Sequence, residues 1–204
     1  MITCITGLPG HGKTLYAVTL IKAMAEKEKR DVFYSGIKGV MLPWTEFVAE
    51  EWMALPTGSM IVIDEAQFVF PKLAPGAKHP DFYKLLATHR HQGFDIFLIT
   101  QDVTLIDLFP RKLIDRHLHV VRKFGLQRAT VYEFQGAKIE PLAAKTVAGA
   151  VVSKWAYPKS SFGLYKSAEV HTVKTRIPAK IILAVLFIVS FLVFAFFMFK
   201  HFQA

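Results

Sequence analysis

The chain has 204 residues and a formal charge of +9, with one cysteine. That length holds one three-layer domain of about 100–150 residues plus an appendage, which excludes a helicase core built from two such domains. The lone Cys4 excludes an intrachain disulfide; in its apolar setting it is expected to be a small buried hydrophobe.

The first six residues, "MITCIT", read as a short buried strand, and "TLYAVTLIKAMAEKEKR" has helical spacing at Leu15, Val18, Leu20, Ile21, Met24 and Ala25. Between them lies "GLPGHGKT", in which Gly7, Gly12, Lys13 and Thr14 fit the phosphate-loop pattern, in the strand–loop–helix context that pattern requires. Glycines let backbone N–H groups turn inward around phosphates. The helix start points its positive dipole end at the same anion. The expected nucleotide-binding set is therefore Gly7, Leu8, Pro9, Gly10, His11, Gly12, Lys13, Thr14 and Leu15. Lys13 is expected on the β- and γ-phosphates and Thr14 on Mg²⁺.

Residues 31–35 suggest a second strand and residues 44–54 a helix after Pro43. "SMIVIDEAQ" follows, with four consecutive apolar residues from Met60 to Ile63, the mark of a strand covered on both faces. At its carboxyl end Asp64 is expected to face the phosphate loop and hold Mg²⁺, and Glu65 to orient and polarise an attacking water.

"PDFYKLLATHRHQG" reads as a helix opened by Pro80 and closed by Gly93. His89, Arg90 and His91 cluster at its end, where cations are favourable in themselves, and no zinc-ligand spacing accompanies them. Ile96 to Ile99 form another buried strand ending in Thr100-Gln101, both candidates to sense the γ-phosphate. "PRKLIDR" (110–116) suggests a helix starting at Pro110. "HLHVVRKF" and "RATVYEF" then flank "GLQ" as an antiparallel hairpin at the sheet edge. Strands alternating with helices behind a phosphate loop predict a doubly wound α/β P-loop NTPase sheet with helices on both faces. Residues 1–135 are expected to form this domain.

Charge is distributed unevenly. Residues 1–135 carry sixteen Lys/Arg against fourteen Asp/Glu, whereas 136–180 carry eight against two. The basic stretch at 136–178 is therefore expected as a juxtamembrane linker, drawn to anionic headgroups by about 1 kcal/mol per cation. From Ile181 to Phe199 the only non-apolar residue is Ser190. At 1.5 Å per residue that run makes roughly 28 Å of helix, enough for one C-terminal transmembrane helix, placed at 179–199 with a tail at 200–204. Lys174, Arg176 and Lys180 precede it and Lys200 follows. The positive-inside bias then puts the N-terminal domain in the cytoplasm and the C-terminus across the membrane. The absence of a basic n-region or long apolar h-region after Met1 agrees with that orientation.

Together "GLPGHGKT", "VIDEAQ", "THRHQGFDIFLITQD" and "FGLYKSAEVHT" resemble the zonular occludens toxin family, which includes the filamentous-phage morphogenesis ATPase of the host inner membrane. The resemblance spans residues 1 to about 178. It implies an ATPase of the bacterial inner membrane, using ATP and Mg²⁺ to power phage assembly and extrusion, with a periplasmic C-terminus. By position Lys13, Thr14, Asp64 and Glu65 would be its catalytic set. Arg90 matches an arginine of the family's helix before the "LITQD"-like strand and would suit an arginine finger acting across a subunit boundary, with Arg111 and Arg116 as rivals. The implied partners are a homo-oligomeric ring, phage coat proteins, an outer-membrane secretin or other export components, phage single-stranded DNA and membrane lipids. Longer family members carry a domain beyond the membrane, where this chain has five residues. Two other readings stay open, a nucleotide-gated export scaffold and a ring-type DNA translocase. Tyr165 and His171, within "FGLYKSAEVHT", are expected mainly to pack.

Overall fold

The apolar runs become strands where burial on both faces demands it. β1 (Ile2–Thr6) and β4 (Met60–Ile63) are buried at every position, and β5 (Asp95–Ile99) at all but its first. Their side chains alternate between two cores. Ile5, Met60, Val62, Phe97 and Ile99 face one; Ile2, Cys4, Ile61, Ile63, Ile96 and Leu98 face the other. Burial pushes the Cys4 thiol far up, as a buried hydrophobe requires. The computed structural model describes residues 1–166 together with positions 183, 187–192 and 198.

The other strands are β2 (Val32–Ser35), β3 (Thr45–Glu46), β6 (Arg116–Arg122), β7 (Arg128–Gln135) and β8 (Val151–Ala156). They form one eight-stranded sheet in the order β3-β2-β4-β5-β1-β6-β7-β8. The first six in that order run parallel, and β7 and β8 antiparallel. The sheet is thus mixed α/β with a core on each face. α1 (Lys13–Glu28) covers the first face through Leu15, Ala17, Val18 and Ile21. Short elements cover the second: α2 (Asp81–Leu85), α3 (Leu108–Lys112) and 3-10 turns at Ala49–Ala54 and Leu86–Gln92.

Several expected elements are revised. The helix at 44–54 is instead β3 followed by a 3-10 turn, because the Phe47 N–H pairs with the Tyr34 carbonyl and draws the preceding residues to the sheet. The helix at 80–93 is α-helical only to Leu85. Beyond it the His89 ring takes the Leu86 carbonyl at 2.6 Å and Thr88 the Leu85 carbonyl at 3.0 Å, three-residue spacings that compete with the α ladder. Gly93 does close it, at φ 68°. The helix expected from Pro110 starts two residues earlier, since the Asp107 carboxylate accepts the Phe109 N–H and caps it. Pro110 then sits in the first turn, where no intrahelical N–H is needed.

The largest revision concerns the stretch from residue 136. It holds α4 (Ala144–Val147) and β8, which pairs with β7 over Arg128↔Ala156 to Glu133↔Val151. β8 and not the hairpin is the sheet edge. Residues 157–166 then cross α1, with Thr19 Oγ1 donating to Ser161 Oγ at 3.0 Å, and dock on the loop after β2, where Met41 and Lys166 N–H groups donate to the Leu164 and Lys38 carbonyls.

His171 and most of the expected membrane span lie outside the described residues, and no helix of the described residues is long and apolar enough to cross a membrane. Positions 187–192 are helical with their side chains exposed.

Candidate nucleotide site

Three strand ends build the site. β1 ends at Thr6 and leads into the glycine loop, β5 ends before Thr100, and β4 ends before Asp64. Because β5 lies between β1 and β4, the acidic pair stands two strands, roughly 10 Å, from the strand that carries the loop. The first turn of α1 closes that gap. Thr14 Oγ1 donates to Asp64 Oδ2 at 2.9 Å. This hydroxyl–carboxylate pair is the expected metal pair, brought together from fifty residues apart.

The loop is held from both sides. The Gly7 N–H donates to the Gln101 carbonyl at 3.1 Å, so Gln101 acts here through its backbone. Gly7 lies at φ 148°, and a Cβ there would stand 2.3 Å from the Val120 carbonyl oxygen of β6. Gly12 lies at φ 78°, and a Cβ there would stand 2.8 Å from the Tyr157 hydroxyl. The protonated Nδ1 of His11 donates to the Val120 carbonyl at 3.1 Å, while Tyr157 donates to the His11 carbonyl at 3.0 Å. Leu8, Pro9 and Gly10 are exposed at the loop tip, whereas the Leu15 side chain turns into the core.

Lys13 is 9% exposed, and its ammonium donates to the Leu8 carbonyl at 3.4 Å inside the loop. Burial lowers its pKa, while Glu65 and Asp64 oppose that change. Burial raises the Asp64 carboxyl to about 6, against the hydrogen bonds from Thr14 and the Glu65 N–H. An acid whose folded pKa lies above its unfolded value of 3.8 favours the fold at low pH and weakens it as pH rises through 6. His117 and His119, held down to about 4 first by burial, act oppositely, giving stability above their ordinary 6.5 that is lost on acidification. Asp64→Asn separates the two. In metal- and nucleotide-free buffer its stability advantage over the unmodified protein should be small at pH 4 and grow to about 3 kcal/mol above pH 7. Urea unfolding across that range checks this, and an advantage independent of pH contradicts it.

Glu65 adopts φ 50°, a strained conformation for a residue with a side chain. Its Oε2 accepts from Gln67 Nε2 at 2.6 Å, and Gln67 Oε1 accepts from Thr100 Oγ1 at 2.7 Å. Thr100 is fully buried.

The structure does not bring the expected arginine to this site within one subunit. Arg90 is 66% exposed and pairs with Asp115, whose other oxygen accepts the Ile2 N–H at 2.8 Å. Ile2 starts β1 and the loop follows its end, so Arg90 stands about 16 Å of strand away. Arg116, at the start of β6, is held by both Glu133 oxygens at 2.6 and 2.8 Å. Arg111 lies on α3, in the connection that returns to that same strand start.

An arginine the sequence did not single out does lie beside the loop. Arg122, at the end of β6, donates to the Gly10, Gly125 and Leu126 carbonyls at 3.3, 2.7 and 2.7 Å and stacks 5.4 Å from the Tyr157 ring centroid. Behind the loop, the Lys138 N–H donates to His117 Nδ1, His117 Nε2 to Thr6 Oγ1 at 2.6 Å, and Thr6 Oγ1 to His119 Nδ1 at 2.8 Å. The Lys138 N–H fixes His117 as the neutral Nε2–H tautomer, and burial holds both rings neutral next to Gly7. Tyr165 packs against the core, as expected, and burial first and Asp64 second raise its hydroxyl to about 12, which puts it near the acidic pair.

A glycine loop between β1 and α1, facing an acidic pair one strand beyond its neighbour, defines the P-loop NTPase fold. The chain belongs to the zonular occludens toxin family, whose sequence profile, "Zonular occludens toxin (Zot)", matches residues 41–172. It is 38% identical over 198 residues to the putative assembly protein ORF301 of Pseudomonas phage Pf3, covering 93% of this chain and 65% of that protein. This chain thus spans 65% of that relative's length. The N-terminal domain of zonular occludens toxin from Neisseria meningitidis is similar in structure, with TM-score 0.68 and 31% identity over 81% of this chain and 98% of that one. The genome packaging NTPase B204 of Sulfolobus turreted icosahedral virus 2, in complex with ATP-gammaS, shares the fold at 12% identity (TM-score 0.53, covering 76% of this chain and 96% of that one).

Proposed function

We propose that this protein is a membrane-anchored ATPase that hydrolyses ATP to drive filamentous-phage assembly and extrusion across the host inner membrane. The observation that carries the reading is the 2.9 Å bond between Thr14 of the loop helix and Asp64 of the acidic pair, with Lys13 buried beside both. It gives one place where a triphosphate meets a cation site and a second carboxylate, Glu65.

The donor set fits Mg²⁺: a hydroxyl and a carboxylate are the hard oxygens that ion takes. Bound there, Mg²⁺ would neutralise charge on the β- and γ-phosphate oxygens. The chain's own residues do the rest. Loop N–H groups and Lys13 hold the phosphates, Thr100 lies at the end of the strand between loop and acidic pair, and Glu65 orients water and accepts its proton. Arg90 points away from its own site, so any part it plays in catalysis is played in a neighbour's site, which a homo-oligomeric ring supplies.

The membrane part of the reading is supported by the apolar run at 181–199, in which Phe187, Ile188, Val189, Phe191 and Leu192 are each more than half exposed and lipid is their natural cover. On this reading the N-terminal domain lies in the cytoplasm and the C-terminus in the periplasm. The load is coat protein and single-stranded DNA, passed towards an outer-membrane secretin. The relative in phage Pf3, described as a putative assembly protein, supports the phage context.

Complementation tests the proposal. Virion release from a phage lacking this protein should be restored by the unmodified chain, and lowered roughly 100-fold or more by Lys13→Ala and by Glu65→Gln with both still in the membrane fraction. Equal release by all three rules out the motor.

A further inference from the structure

The residue that links the acidic pair to the neighbouring strand is Gln67. Its orientation follows from chemistry alone. An ionised carboxylate only accepts hydrogen bonds, so the 2.6 Å contact with Glu65 Oε2 must come from the Gln67 amide N–H. The Gln67 carbonyl then faces Thr100, whose hydroxyl must donate across 2.7 Å. Thr100 is 0% exposed and has no solvent to turn to; its other partner in reach is the Asp102 carbonyl at 3.4 Å. The backbone holds this arrangement in place. The Ala66 N–H donates to the Ile99 carbonyl at 2.8 Å and the Phe68 N–H to the Glu65 carbonyl at 2.9 Å, so the turn after β4 is fastened to the end of β5. Two residues further along the chain, the Gln101 carbonyl accepts the Gly7 N–H of the phosphate loop.

We propose that Gln67 is a positioning residue that couples the Glu65 carboxylate to Thr100 at the end of β5, so that water activation answers to the state of the phosphate loop. The inference rests on the ATPase reading above and adds its regulation. With Thr100 donating to Gln67, the amide holds the carboxylate on the β5 side. Without Gln67, or without the Thr100 hydroxyl that orients it, the carboxylate loses that hold and with it the position from which it takes a water's proton, and the Gly7–Gln101 bond ties the same strand end to the phosphate loop. Binding and turnover are thereby separated: the phosphates are held by the loop, and Gln67 sets only where the base stands.

The test is a kinetic cycle on the full chain in detergent, with Gln67→Ala, Thr100→Val and the double variant, alongside nucleotide affinity from a fluorescent ATP analogue and melting temperature. Gln67→Ala is expected to lower kcat roughly 10- to 100-fold with KM, affinity and melting temperature nearly unchanged. The double variant should lose no more than the worse single one, because both break the same chain. Gln67→Glu keeps the size without the donor and should show the same kcat loss, which covers any folding failure of the alanine variant. Unchanged kcat, a loss carried by KM, or multiplicative losses in the double variant overturn the coupling while leaving the ATPase reading intact. No hydrolysis by the unmodified protein overturns both.

Discussion

Glu65→Gln is expected to bind nucleotide as the unmodified protein does and to turn it over roughly 10²- to 10⁴-fold more slowly, the usual worth of a general base. The geometry separates the two effects. On the proposed reading the phosphates are held by the loop and Lys13, which is bonded to the Leu8 carbonyl, and the metal by Thr14 and Asp64, which are bonded to each other. Glu65 has no bond to any of these side chains; its carboxylate accepts only from Gln67 among the described contacts. An amide at position 65 keeps an oxygen for Gln67, so the turn after β4 should hold its shape, while the basic oxygen is gone. Lys13→Ala should do the reverse and lose affinity itself, since it removes the buried ammonium of the loop. Phosphate release and analogue binding, measured on the same preparations, distinguish them. Turnover by Glu65→Gln at the unmodified rate would remove that residue from the chemistry.

Gly7→Ala should damage the fold more than any other change in the loop. Two costs meet there. The backbone at φ 148° is a region essentially reserved for glycine, worth roughly 1–3 kcal/mol. The added methyl would also stand 2.3 Å from the Val120 carbonyl oxygen, on a central strand that cannot yield. Overpacking of that kind costs roughly 1–3 kcal/mol more. A combined loss of about 4 kcal/mol is a large share of the roughly 5–15 kcal/mol that stabilises a domain. Gly76→Ala serves as the comparison: at φ 81° with nothing within 4 Å, it bears the backbone cost alone. Urea midpoints of the two variants check this, and equal losses would mean that the approach to Val120 carries no energy.

The loop and the acidic pair were legible in the sequence because each is written in neighbouring residues: glycines at fixed spacing after one strand, two carboxylates after another. The buried strands β1, β4 and β5 were legible for the same reason, as apolar runs of strand length. What sequence did not show is contact made by sheet closure. Arg122 and Tyr157 touch the loop only because β6 lies beside β1 and β8 ends near α1's first turn. β8 carried a signal, the β-branched and aromatic residues of "VVSKWA", but it sits in a basic stretch whose charge argued for a linker. Arg90 teaches a topological point. A residue just before a parallel strand stands at the opposite end of the sheet from residues just after one, so an arginine preceding β5 cannot share a site with Thr100, which follows it. Gln67 was visible in "DEAQ", yet its role depends on Thr100 being one strand away, which no spacing records.

Phosphate release by the intact chain, reconstituted in lipid with the coat protein and DNA it is proposed to move, tests the central claim most directly. Mg²⁺-dependent ATP hydrolysis is expected, slowed at least roughly 100-fold by Glu65→Gln and lost in Lys13→Ala through loss of binding. A reconstituted, cargo-loaded preparation that consumes no nucleotide would contradict it.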